Sequence, residues 1–175
     1  MTSNNTALLV IDVQRDLFAK GIPIYKADEV VQNINTLVAR AHAAGAPVVY
    51  VQHASKSHLL EDSEGWQLHP ALHPTGTDIM VRKTHPSSFE DTTLGDELSK
   101  RGVTQVVVTG LVTHGCVKAT ALAAIELRYK ATVVTDAHSS FSKDAARLIE
   151  EWNQKLGEAG AHLAATRDVV VGTDA

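Results

Sequence analysis

Two hydrophobic patterns alternate along this chain: short continuous apolar runs, and longer segments whose apolar residues recur every three or four positions. Continuous runs are typical of strands covered on both faces, whereas the wider spacing is typical of a helix with one face on the core. The runs predict strands over residues 7–13, 47–51, 79–81, 103–109, 131–136 and 162–166. The spaced segments predict helices over residues 28–44, 92–101, 118–128 and 142–159.

The order of these elements predicts the architecture. Strands and helices that alternate form a parallel sheet with helices on both faces. A length of 175 residues fits one domain, and no repeat, linker or low-complexity segment divides the chain. We therefore expect a single α/β domain over residues 1–175, a three-layer α/β/α arrangement around a six-stranded, mostly parallel sheet.

Two further segments carry local signals. Asp28 is the expected N-cap of the first helix, and Gly45 is its expected stop. Residues 54–77 show no clean period and hold several histidines and prolines, which predicts a long loop. A loop of that length in a compact domain is usually functional.

Charge and cysteine content narrow the classes of partner and location. The net charge of -4 and the pI near 6.1 give no electrostatic reason to expect nucleic acid or an anionic membrane as a partner. A single cysteine rules out a disulfide within the chain. The first apolar run is too short to span a bilayer, and no basic region precedes it as in a secretory signal. We expect a cytoplasmic protein.

The single cysteine, Cys116, falls at a predicted strand-to-helix turn. The free backbone N–H groups and the positive dipole end of a helix N-terminus favour a thiolate, and they also suit a developing oxyanion. This position predicts a nucleophile. The alternative at this point is a small buried cysteine that only fills space.

Two other chemically useful side chains fall at the same edge of the predicted sheet. Sites in open α/β sheets lie beyond the carboxyl ends of the strands. Asp12 is at the end of strand one, Lys83 is just beyond strand three, and Cys116 is just beyond strand four. A carboxylate can take the thiol proton, and an ammonium can stabilise the resulting thiolate. Each residue alone has an ordinary explanation as a turn former or surface group, but the combination favours catalysis.

Three sequence segments that carry these residues resemble the isochorismatase-like cysteine hydrolases, which include nicotinamidases, N-carbamoyl amidases and ureide hydrolases. The segments are 7–14 (ALLVIDVQ), 81–89 (VRKTHPSSF) and 110–117 (GLVTHGCV). The resemblance implies Asp12 as general base and acid, Lys83 as its electrostatic partner and Cys116 as nucleophile. It also implies a cis peptide between Leu111 and Val112, with the Val112 and Cys116 N–H groups as the oxyanion hole.

The activity that this resemblance implies is hydrolysis of a small amide, ureide or carbamoyl compound through a thioester acyl-enzyme. A cysteine at position 116 argues against the branch that cleaves isochorismate, which does not depend on a cysteine nucleophile. Two alternatives are a binding module that has lost activity and a metal-dependent nicotinamidase. A thiol-redox role is disfavoured because the chain has no resolving cysteine.

The nine histidines raise the question of a metal. By resemblance, His53 matches a metal-binding histidine of nicotinamidases, but Val51 stands where those enzymes have an aspartate. A hard-ligand site without its carboxylate loses both charge neutralisation and one ligand. We therefore expect no metal and no other cofactor.

Pocket and assembly are expected from the resemblance as well. It implies Phe18, His53 and Trp66 as substrate-binding residues, with a small molecule as the substrate. The helix after Cys116 is rich in alanine, which permits close packing, and related proteins commonly form dimers or tetramers. We expect a homo-oligomer.

Overall fold

Six parallel strands form one sheet at the centre of the molecule. The computed structural model describes residues 5–172, so the first four and last three residues of the expected domain 1–175 lie outside the described residues. The sheet order is β3-β2-β1-β4-β5-β6, and every pairing between these strands is parallel. The strands are β1 (Thr6–Ile11), β2 (Val48–His53), β3 (Ile79–Lys83), β4 (Gln105–Leu111), β5 (Lys130–Ser139) and β6 (His162–Ala164).

Four helices cover the two faces of this sheet. They are α1 (Ala27–Ala44), α2 (Leu94–Lys100), α3 (Lys118–Glu126) and α4 (Ala145–Glu158). Alternate residues of β1 enter two separate cores: Leu8 packs with the α1 face, while Leu9 packs with α2, α3 and α4. Burial on both faces explains why β1 is a continuous apolar run. The predicted three-layer α/β/α domain is confirmed.

The ends of several elements differ from the sequence prediction. β1 stops at Ile11 because Asp12 takes a left-handed backbone conformation with φ of 53°. The expected N-cap Asp28 is wrong: α1 begins after Lys26, and Asp28 lies in its first turn. Gly45 does end α1 in a left-handed conformation, with φ of 70°. β3 is longer than predicted and includes Lys83 itself.

The long loop between β2 and β3 is held to the sheet by a buried glutamine. Gln14 is fully buried, and its side-chain amide donates to the carbonyl oxygens of His53 at 3.0 Å and Trp66 at 2.9 Å. Its Oε1 accepts the His53 backbone N–H at 3.0 Å. Gln14 also forms an isolated antiparallel bridge with Leu68. One side chain thus fixes both the end of β2 and the middle of the loop.

Among residues 5–172, no helix combines the length and apolar composition that crossing a bilayer requires.

Candidate active site

The site lies where the strand order changes direction. β2 and β3 extend the sheet on one side of β1, while β4 lies on the other side, so the crevice beyond β1 and β4 is the topological switch point. Asp12 follows β1 and Cys116 follows β4. His53 and Lys83 are the last residues of β2 and β3 and are partners in their register. Four neighbouring strands therefore deliver one side chain each.

The backbone around Asp12 is specified by a glycine on the neighbouring strand. Gly110 of β4 has a φ of 121°, and a Cβ atom there would lie 2.1 Å from the Ile11 carbonyl oxygen. Only glycine permits β4 to approach β1 this closely. Asp12 follows with its own left-handed conformation and is 3% exposed. A non-glycine residue in this conformation is uncommon, and such positions cluster at functional sites.

The Lys83 ammonium is the hub of the site. Its side chain is fully buried, and Nζ lies 3.1 Å from Asp12 Oδ2 and 3.1 Å from Cys116 Sγ. Nζ also lies 2.8 Å from His53 Nδ1 and 3.2 Å from the His85 carbonyl oxygen. An ammonium has three hydrogens to donate. Four acceptors for three hydrogens let Lys83 change partners without moving.

Asp12 and Cys116 interact directly, since a hydrogen bond between their side chains contributes to the pKa of both groups. A carboxylate oxygen of Asp12 lies within 4.8 Å of Cys116 Sγ. Lys83 Nζ contacts the same sulfur directly at 3.1 Å. Asp12 Oδ1 is buried and has no hydrogen-bond partner among the described residues. A buried, unpartnered carboxylate oxygen is suited to accept a proton.

Burial controls the protonation of both groups. It raises the pKa of the Asp12 carboxyl above its ordinary value, against the opposing effects of Lys83 and Cys116. Burial, together with the Asp12 charge, raises the pKa of the Cys116 thiol to about 12 even though Lys83 lowers it. Desolvation and the neighbouring carboxylate therefore favour the thiol, whereas the position at a helix N-terminus favours the expected thiolate.

His53 is neutral and has a defined tautomer. Burial and the Lys83 ammonium lower the pKa of His53. Because Lys83 can only donate, the 2.8 Å contact leaves His53 Nδ1 as the acceptor. The remaining ring nitrogen, Nε2, then carries the hydrogen. Sequence reasoning selected His53 but missed this contact, since it depends on the register of β2 with β3.

The turn before α3 has the backbone expected for an oxyanion hole. The Leu111–Val112 peptide is cis, as the resemblance implies. Thr113–Val117 then forms a wide π-type turn that leads directly into α3. The Val112 carbonyl oxygen accepts the N–H groups of Gly115 at 3.0 Å and Val117 at 3.3 Å. The Val112 and Cys116 N–H groups therefore remain the predicted oxyanion donors.

Of the three expected substrate-binding residues, only His53 borders the cleft beside the cluster of Asp12, Lys83 and Cys116. That cleft has a volume of about 560 Å³ and is also lined by Asp16, Lys20 and His58. Phe18 instead packs its ring against His69, with ring centroids 4.5 Å apart.

Trp66 borders a different depression, beside Gln52 and Met80. Its carbonyl oxygen accepts hydrogen bonds from the side chains of Gln14 and Gln52. The geometry of a loop without periodicity gives no sequence signal that would have separated these aromatics from His53.

The residues at the site do not fit a divalent metal. Asp12, His53 and Cys116 offer ligand atoms within 4.8 Å of one another. The Lys83 ammonium, however, contacts all three side chains at 2.8 to 3.1 Å, so a cation already occupies the place between them. Val51, where nicotinamidases have an aspartate, is fully buried.

The fold and the site together define a three-layer α/β protein in which a half-buried cysteine contacts a buried aspartate–lysine pair. Sequence comparison identifies its family: the isochorismatase domain matches residues 6–163. The chain belongs to the isochorismatase family. Streptothricin hydrolase of Streptomyces noursei is 37% identical over 147 residues, which cover 83% of this chain and 58% of that protein. The chain thus spans less than two thirds of this relative's length.

Solved structures of the family share the fold. An isochorismatase family protein matches with a TM-score of 0.88 and 28% identity, covering 94% of this chain and all of the other. N-carbamoylsarcosine amidase of Thermoplasma acidophilum matches with a TM-score of 0.84 and 25% identity, covering 94% of this chain and 98% of that chain. Hydrolases of different compounds are therefore among the proteins that this chain is similar to.

Proposed function

We propose that this protein is a cysteine hydrolase of a small amide, ureide or carbamoyl compound. The observation that carries the proposal is the position of Lys83, whose Nζ lies 3.1 Å from both the Asp12 carboxylate and the Cys116 sulfur. When the thiol proton moves to Asp12, the negative charge moves from the Asp12 carboxylate to the Cys116 sulfur. Both groups contact the same Lys83 ammonium. The net charge of the buried cluster does not change, so the step avoids a new desolvation cost.

The first half of the reaction forms the acyl-enzyme. Asp12 takes the Cys116 proton as Sγ bonds to the carbonyl carbon of the substrate. The carbonyl electrons move onto oxygen, which the Val112 and Cys116 N–H groups stabilise. When the C–N bond breaks, Asp12 returns its proton to the departing nitrogen. A thioester on Cys116 and a free amine or ammonia result.

The second half releases the acid. Asp12 removes a proton from water as the water oxygen bonds to the thioester carbon. The C–S bond then breaks, and the sulfur recovers the proton from Asp12. The raised pKa of Asp12 makes it a stronger base than an ordinary carboxylate, which both halves require.

His53 connects this chemistry to the adjacent cleft. Its Nδ1 accepts from Lys83, while the ring borders the cleft and carries its hydrogen on Nε2. We propose that Nε2–H donates to a polar atom of the substrate. Polar side chains (Asp16, Lys20 and His58) and apolar ones (Leu17, Leu59 and Phe141) line the same cleft, which suits a small molecule with both polar and apolar groups.

The experiment that tests the proposal is a screen of small amides, ureides and N-carbamoyl compounds for release of ammonia or amine. The panel includes N-carbamoyl amino acids because N-carbamoylsarcosine amidase is among the similar proteins. We expect turnover of at least one class by the wild-type protein and loss of that turnover in Cys116→Ala. Failure of every class, at protein concentrations that detect single turnovers, would contradict the proposal.

A further inference from the structure

A buried histidine outside the catalytic cluster contacts the turn that carries the nucleophile. His138 lies on β5 and is 1% exposed. Its Nδ1 lies 2.8 Å from the hydroxyl of Thr113, and its Nε2 lies 2.7 Å from Oδ1 of Asn153 on α4. Thr113 is itself fully buried and stands between Val112 and Cys116. His138 therefore joins the oxyanion turn to α4.

The donor and the acceptor can be assigned for each hydrogen bond that links Thr113, His138 and Asn153. The Asn153 amide nitrogen donates to the Thr135 carbonyl oxygen at 3.3 Å, which leaves Oδ1 as the acceptor facing His138. His138 Nε2 consequently carries the hydrogen. Burial lowers the pKa of His138, so its ring is neutral and Nδ1 is bare. Nδ1 then accepts the Thr113 hydroxyl hydrogen.

An irregularity in the sheet places His138 at this point. β5 advances from Val133 to His138 while β4 advances only from Val108 to Gly110. The extra residues bulge out of β5, and bulges are a common way to re-aim a side chain near an active site. His138 comes to lie beside Gly110, where the strand turns into the oxyanion segment. Mere space-filling would favour an apolar residue here, because burying an imidazole requires two satisfied nitrogens.

We propose that His138 is a positioning residue for the oxyanion hole. Its Nδ1 holds the Thr113 hydroxyl and thereby fixes the segment from Val112 to Cys116, whose two N–H groups receive the oxyanion. Asn153 sets the tautomer that makes Nδ1 an acceptor. This inference rests on the proposed acyl-transfer function, since it assigns a role within that reaction.

Two substitutions of His138 separate positioning from packing. The side-chain oxygen of asparagine reaches the place of Nδ1, so His138→Asn keeps an acceptor for Thr113 and loses the contact with Asn153. The longer glutamine places its amide nitrogen near Nε2, so His138→Gln keeps the donor to Asn153 and loses the acceptor for Thr113. Glutamine also fills more of the site than asparagine. Packing alone therefore favours His138→Gln, and positioning favours His138→Asn.

Two reagents that both modify Cys116 provide the readout. 4-Nitrophenyl acetate requires attack on a carbonyl and hence an oxyanion hole, whereas iodoacetamide alkylates sulfur without forming an oxyanion. We expect His138→Gln to slow acylation by 4-nitrophenyl acetate about tenfold to a hundredfold, less than complete loss of an oxyanion donor. Its iodoacetamide rate stays within about a factor of two of wild type. We expect His138→Asn to keep most of the wild-type acylation rate, although its unfolding midpoint should fall further than that of His138→Gln.

Thr113→Val supplies the independent check because it removes the hydroxyl and keeps the shape of the side chain. It should slow acylation as His138→Gln does, and the double variant should show no additional loss. Equal losses with both reagents, or faster acylation in His138→Gln than in His138→Asn, would overturn the positioning role. A wild-type protein that 4-nitrophenyl acetate acylates no faster than Cys116→Ala would instead overturn the proposed function, and this inference with it.

Discussion

At the scale of single residues, the proposed transfer of a proton from Cys116 to Asp12 takes place beside the buried Lys83 ammonium. Lys83 and Asp12 are 1% and 3% exposed, so neither charge has access to bulk water. A buried ion pair of this kind is weak evidence for stability, because desolvation offsets most of the attraction. The cluster is better explained by catalysis, which needs a base of raised pKa next to a thiol.

A double-mutant cycle of Asp12 and Lys83 tests that explanation. Asp12→Asn or Lys83→Met alone leaves the other charge buried without its partner, and we expect each to lower the free energy of unfolding by about 3–5 kcal/mol. The combined variant removes both charges and should be at least as stable as wild type. Urea denaturation gives the stabilities, and turnover should be lost in all three proteins. Additive losses in the double variant would contradict the account.

The pH dependence of hydrolysis has a defined acid limb. Asp12 must be ionised to act as a base, and its pKa is raised above 3.8. We therefore expect kcat/KM to fall with decreasing pH at a midpoint above that value, as Asp12 becomes protonated. His53 has a pKa below 6.5 and stays neutral through the neutral range.

His53→Asn tests whether Asp12 or His53 causes the fall in kcat/KM at low pH. Its side-chain oxygen keeps an acceptor for Lys83 near the place of Nδ1, while the variant has no imidazole to titrate. The acid limb should survive in His53→Asn, because Asp12 produces it. If the limb disappeared in this variant, His53 would be the controlling group.

At the scale of elements, the site depends on how closely β1 and β4 approach. Gly110→Ala would force a Cβ atom to 2.1 Å from the Ile11 backbone oxygen in a left-handed position. We expect the free energy of unfolding to fall by more than about 3 kcal/mol, with loss of turnover. Gly45→Ala is the control: its φ is 70°, nothing lies within 4 Å, and it should cost only about 1–2 kcal/mol. Similar losses in the two variants would show that the close approach is unimportant.

The side chains at the carboxyl ends of β1 to β4 determine whether the site binds a metal ion. The Lys83 ammonium occupies the place between Asp12, His53 and Cys116, so we expect turnover to survive exhaustive dialysis against EDTA. Lys83→Met removes this ammonium and leaves three ligand types that zinc accepts. After addition of zinc and dialysis against buffer without EDTA, zinc should therefore remain bound to Lys83→Met and not to the wild type. Turnover that disappears on chelation and returns with zinc, manganese or iron would contradict this view.

At the scale of the whole molecule, the site residues that the sequence could predict are those at the ends of strands. Asp12, Lys83 and Cys116 follow or end buried strands of a parallel sheet, and the carboxyl ends of such strands share one edge. The contact of His53 with Lys83 was not predictable, because it needs the register of two strands. His138 was missed because its partners Thr113 and Asn153 come together only through a bulge and the docking of α4.

Loop residues were the least predictable part of the pocket. Phe18 and Trp66 were assigned to it from resemblance, yet their positions follow from contacts with His69, Gln14 and Gln52 that no periodicity encodes. Gln14 did carry a usable signal, since a polar residue directly after a buried strand needs a partner. The homo-oligomer and the cytoplasmic location stay predictions at this scale.

Intact-protein mass spectrometry of the protein, quenched during turnover of an accepted amide or ureide, detects the acyl-enzyme if it forms. We expect a covalent acyl adduct, mapped by peptide analysis to Cys116 and labile to hydroxylamine as a thioester is. Cys116→Ala should show neither the adduct nor turnover, although Asp12 and Lys83 are intact. Turnover by Cys116→Ala near the wild-type rate, or an adduct on another residue, would contradict the covalent mechanism.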